Sequence, residues 1–178
     1  PPAARYSRGP VHSSSEEVIR PYFLLAGWYT LAASIIWGVN TLCLLEAGLG
    51  VGAVFVANAG YSIGTVLFEI PTGVLADTLG RRVSFLSSIA ILVLTTILYV
   101  ALARAGAGIG PFFLTSALMG LGFTFYSGAM EAWLVDALEA TGSGGDLDRG
   151  FARGQQVTGA ALLVGTLGGG LLGQLDLS

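Results

Sequence analysis

The chemistry of this chain concentrates in ten residues, GVLADTLGRR from Gly73 to Arg82, where Asp77 precedes Arg81 and Arg82 across Gly80. A carboxylate four residues before a guanidinium shares its face if the helix continues, with the acid in the favourable N-terminal place. Gly73 lies four residues before Asp77 and removes side-chain bulk where another helix could approach closely. Gly80 permits a tight turn. The plain alternative is a short turn with ordinary flanking charges. Two further carboxylates, Glu69 and Glu131, stand inside apolar sequence, where an ionised acid costs about 2.5 to 3.5 kcal/mol on insertion scales. Along a straight helix Glu69 is about 12 Å deeper than Asp77, and Glu131 is about 7.5 Å deeper than Asp136 and on another face. Each acid has two open readings. It is a proton-coupling or substrate-binding group, or it makes a helix–helix hydrogen bond, for Glu131 with a neighbour such as Ser127 or Tyr126.

Long apolar elements must position these groups. The 178 residues are 53% apolar and 11% charged, with a mean hydropathy of +0.75, too greasy for an ordinary soluble domain. Five runs, at about 22–45, 52–76, 83–103, 111–138 and 155–175, each reach the roughly 20 residues needed to cross a hydrocarbon core of about 30 Å. The fold class is therefore an all-α polytopic membrane protein. The first run exceeds a signal-peptide h-region, carries Trp28 and Trp37, and leads into a second span, so it reads as a true helix. Arginine sets the expected orientation, since the chain has no lysine. Seven arginines (5, 8, 20, 81, 82, 149 and 153) fall on one side and Arg104 alone on the other, which places the N-terminus in the cytoplasm of a multi-pass inner-membrane protein. Residues 1–20 read as a polar cytoplasmic tail; its scattered arginines give topology, not nucleic-acid binding. Cys43 stands alone, so no disulfide framework exists.

The joint resembles the signature of the major facilitator superfamily of secondary transporters, between that family's second and third helices. Gly73, Asp77, Gly80, Arg81 and Arg82 match it, while Thr78 stands where a basic residue is usual. The stretch Glu69 to Thr72 and the run SGAMEAWLVD from Ser127 to Asp136 also look like a bacterial branch of that superfamily. The resemblance implies twelve helices in two halves, each built from inverted three-helix repeats around a central cavity. Five of the twelve would be present, with the C-terminal half missing; both ends of the chain look cut. It implies alternating-access transport of a small solute, coupled to protons, as a symporter or an antiporter. In such a protein Asp77 would face a helix N-terminus of the other half, and Arg81 would meet a carboxylate at the end of the fourth helix, where Asp136 stands. Together with the glycines these residues form a conformational latch. The first and fourth helices would line the cavity, making Asn40, Trp37, Tyr126 and Thr124 candidates for substrate contact. The third helix, broken only by Ser and Thr, reads as a lipid-facing support. Ala161, Gly165, Gly169 and Gly173 mark one narrow face of the fifth. Proton-driven drug antiporters carry a Gly-Pro pair and then Gly-Gly there; Gly169-Gly170 and Gly173-Gln174 depart from it, so efflux is in doubt and uptake stays open.

Enzyme readings fail on residue supply. His12 is isolated, no aspartate series follows Asp77, and the 142–145 glycine stretch lacks the Lys and Ser/Thr of a phosphate loop and the terminal Glu of a calcium loop. That stretch reads as a linker. No cofactor or metal is expected. The alternative to a transporter is a truncated, non-transporting membrane protein that acts by helix–helix association through its glycine faces.

Overall fold

The computed structural model describes residues 15–140 and 147–176. The sequence expectations for the tail before Ser15 and for the 142–145 linker lie outside them. The described residues form five α-helices: α1 Ser15–Glu46, α2 Val51–Leu79, α3 Arg81–Arg104, α4 Ile109–Ala140 and α5 Leu147–Asp176. All five are long and apolar enough to cross a membrane; even the 24 residues of α3 rise about 36 Å. Each helix is longer than its apolar run. The largest differences are at Ser15–Arg20, read as tail, and 147–154. Hydropathy marks only the part suited to hydrocarbon, whereas helical hydrogen bonding continues into the polar interface with residues such as Glu16, Glu17 and Asp148.

Two tight reversals close one end of the bundle. After α1 the amide of Leu49 donates to the carbonyl of Leu44, and after α3 the amide of Ala107 donates to that of Leu102, each a six-residue closure of the last helical turn. In space α1 packs chiefly on α5, α2 on α4, and α3 on the other side of α4. Glycine makes the two main pairings close. A Cβ on Gly60, Gly64 or Gly120 would collide with backbone across the α2–α4 seam, and one on Gly38, Gly165 or Gly169 would do so across α1–α5. Between them, Ser34 donates to its own helix at Thr30 and lies 3.3 Å from the Ala161 carbonyl. The expected small-residue face of α5 is thus the face that meets α1. With no hydrophobic drive between helices in lipid, such backbone approach supplies dispersion contact instead.

Two buried clusters anchor opposite ends. Tyr22, Tyr29, Tyr126, Met130 and Leu134 pack at the end holding the α2–α3 joint. Leu44, Val54, Tyr99, Phe112 and Met119 pack at the other. The outer faces are apolar and open, as at Phe55, Val66, Ile70, Ile97, Leu167 and Leu171, the pattern of helices solvated by lipid or by further helices.

Candidate functional site

Gly80 makes the joint. Its φ of 93° and ψ of 150° lie in a region essentially restricted to glycine, so α2 stops at Leu79 and α3 starts at Arg81. The helix does not continue through Asp77 and Arg81, and the shared helical face expected from their spacing is replaced by a contact across the break. Arg81 Nη1 donates to Asp77 Oδ1 at 2.5 Å, and Arg81 Nε reaches Asp136 Oδ2 of α4 at 3.4 Å. One guanidinium therefore joins α2, α3 and α4. Asp77 and Asp136 are 67% and 62% exposed, so each pairing has the strength of a solvated ion pair, about 0.2 to 1 kcal/mol. Arg82 is exposed and borders a groove with Phe85 and Trp133. Gly73 departs from expectation: no atom lies within 4 Å of where its Cβ would point. On α2 the close approach to another helix falls at Gly60 and Gly64 instead.

A cavity of about 260 Å³ opens between α1, α4 and α5 near the same end. Glu131 borders it, on a different side of α4 from Asp136, together with Tyr22, Ser127, Gln155 and Thr158. The α5 contribution was not anticipated. Gln155 and Thr158 are three residues apart at the polar start of the fifth span, a spacing that could have signalled a common face. Glu69 is separated from this cavity. It is exposed on the outer face of α2 between Val66 and Ile70, themselves 73% and 79% exposed, and borders none of the described cavities.

A second cavity, of about 280 Å³, lies toward the opposite end. Asn40 of α1 donates from Nδ2 to Asn58 Oδ1 of α2 at 2.7 Å. Tyr99 of α3 and Ser116 of α4 share a hydrogen bond between their hydroxyls. Trp37 borders both cavities. It meets Tyr61 edge-on with ring centres 5.8 Å apart, and Tyr61, Phe123 and Tyr126 continue the aromatic line at 6.0 and 6.1 Å. Tyr126 in turn stacks on Tyr29 at 3.7 Å, which fixes α4 against α1.

Two sequence expectations are corrected here. Thr124 is buried and returns its hydroxyl to the Leu121 carbonyl at 2.8 Å; it borders neither cavity, because its side of α4 is the side that also carries Gly120 into the α2 seam. The third helix is not only a support broken by Ser and Thr. Its outer face does carry exposed Val93, Leu94 and Ile97, but Ser84, Ser88, Thr95 and Tyr99 are buried on the inner face, and Tyr99 reaches the second cavity. Asn40, Trp37 and Tyr126 do line cavities, while Asn58, Tyr99 and Ser116 escaped notice as single polar residues scattered over three helices. No family model matches the chain, and no curated protein or solved structure matches it.

Proposed function

We propose that this chain forms five helices of a secondary transporter of the major facilitator type, moving a small solute by alternating access with proton coupling. The observation that carries the reading is the three-helix charge cluster Asp77–Arg81–Asp136 at the end of a bundle whose cavity, between α1, α4 and α5, presents the carboxylate of Glu131. Exposed ion pairs are weak enough to break and re-form with a helix movement, which suits a latch. A carboxylate at membrane depth that borders an open cavity can exchange protons with water, so Glu131 is the preferred coupling residue. Glu69, on the outer face of α2, would need a partner from beyond these five helices, as would Asp77 if it caps a helix of the other half. The N-terminus is taken to be cytoplasmic on the arginine distribution. No catalytic or metal-dependent step belongs to this reading.

The test is flux. The full-length gene product containing this chain is reconstituted into proteoliposomes carrying an internal pH dye and challenged with a panel of solutes under an imposed pH gradient. Solute-dependent proton movement that Glu131→Gln abolishes, with solute exchange retained, supports the reading. Proton movement unchanged in Glu131→Gln would assign Glu131 a structural hydrogen bond. A protein that moves no solute of the panel in either direction would favour the alternative, a membrane protein that acts by association through its glycine faces.

A further inference from the structure

The cavity bounded by Asn40, Asn58, Tyr99, Ser116, Trp37 and Tyr61 differs in kind from the one that holds Glu131. None of its lining residues carries a charge, whereas four helices each contribute a neutral hydrogen-bonding group: Asn40 from α1, Asn58 from α2, Tyr99 from α3 and Ser116 from α4. We propose that this second cavity binds an uncharged, hydroxyl-rich solute of about monosaccharide size. The proposal deepens the transporter reading, on which it rests for the idea that the occupant is cargo.

Three features favour that class. Each asparagine amide carries two N–H donors and a carbonyl acceptor; Asn40 bonds both Asn58 and Tyr99, while Asn58 accepts from Asn40 and has its two N–H donors still to offer. Tyr99 and Ser116, only 6% and 2% exposed, share a hydroxyl bond, and Tyr99 also pairs with Asn40, while their hydroxyl oxygens keep spare acceptor capacity. Polar groups held at membrane depth are costly unless paired, and hydroxyls, which both donate and accept, complete such a set without regard to its polarity. An ion, by contrast, would give up its hydration with no opposite charge to meet it. Trp37 and Tyr61, crossed at 78°, supply an apolar wall for the C–H face of a ring. The volume of about 280 Å³ equals roughly nine waters and falls just below the range of drug-sized pockets, so the occupant has on the order of a dozen heavy atoms.

Tryptophan emission offers a direct readout, because the chain has three tryptophans and only Trp37 borders this cavity. The full chain carrying Trp28→Phe and Trp133→Phe is placed in lipid nanodiscs and titrated with D-glucose and D-mannitol, then with the charged analogues D-glucuronate and D-glucosamine. A saturable emission change is expected for at least one neutral probe, with both charged analogues at least tenfold weaker. Asn58→Leu, which keeps the branched four-atom side-chain shape without its hydrogen-bonding groups, should raise the Kd at least fivefold, the value of about one lost hydrogen bond. If that variant loses its helical circular dichroism, Ser116→Ala decides in its place, with a weaker rise of about threefold. No saturable response to either neutral probe, equal binding of the charged analogues, or an unchanged Kd in every folded variant would overturn the proposal. Saturable binding by a protein that shows no flux would sink the transporter reading and leave this site standing. Flux insensitive to Asn58 and Ser116 would do the reverse.

Discussion

Gly64 and Gly73 lie nine residues apart on α2, yet the same substitution should act on them in opposite directions. At Gly64 a Cβ would overlap the Ala117 carbonyl oxygen and lie 2.8 Å from both the Cα and the carbonyl carbon of Ala117. These are backbone atoms of α4 and cannot rotate away. Moving those two carbons from 2.8 Å to the 3.4 Å of an ordinary contact requires a retreat of at least about 0.6 Å, and a gap of 0.5 to 1 Å forfeits a quarter to a half of the dispersion attraction between the atoms it separates. The seam is continuous through Gly60 and Gly120, so the loss spreads beyond one pair. Gly64→Ala is therefore expected to destabilise by about 1 to 3 kcal/mol, the usual penalty of overpacking, reduced by up to about 1 kcal/mol through better helix propensity. At Gly73 the added methyl meets nothing, and only the propensity gain of up to about 1 kcal/mol remains. Reversible unfolding of both variants against rising SDS mole fraction in mixed micelles, followed by circular dichroism, measures the difference. A Gly64→Ala protein as stable as the parent would refute the close α2–α4 approach. A Gly73→Ala protein that is stable but inactive in flux would place the partner of Gly73 outside these five helices.

Other substitutions test the remaining links. Arg81→Ala removes two solvated ion pairs and should change stability by less than about 2 kcal/mol, while altering the ratio of inward to outward accessibility measured by thiol labelling of single cysteines placed at either end; unchanged accessibility and unchanged flux would remove the latch role. Gly80→Ala forces a side chain into φ near +93° and should cost about 1 to 3 kcal/mol in the same SDS titration; a cost near zero would mean that the joint rearranges freely. On α5, Gly169→Val should be far more destabilising than Gly170→Val, because a Cβ at Gly169 strikes the Ile35 backbone whereas one at Gly170 meets open space; equal melting temperatures would contradict the α1–α5 packing.

Much of this architecture is written in the order of the residues. Apolar run length settles five helices able to span a membrane, because a segment in lipid must satisfy its own backbone, and no partner helix is needed for that. The reversal at Gly80 was legible too, since a turn of one residue there demands glycine. The small-residue spacing of α5 announced a contact face, and its four-residue period needs no tertiary information. What the sequence could not decide is which side of each helix meets which neighbour. α2 and α4 are apolar nearly all round, so periodicity carries little direction; Thr124 and Tyr126, two residues apart, look equivalent until packing turns the first into the α2 seam and the second onto Tyr29. Glu69 and Glu131 likewise carry the same chemistry inside apolar sequence, and only the packing of α1, α4 and α5 opens a cavity for one of them. The second cavity was least visible of all. Its polar groups are spread over four helices, and apart from Asn40 a lone Asn, Tyr or Ser in an apolar run has no signature until close glycine packing brings those helices together.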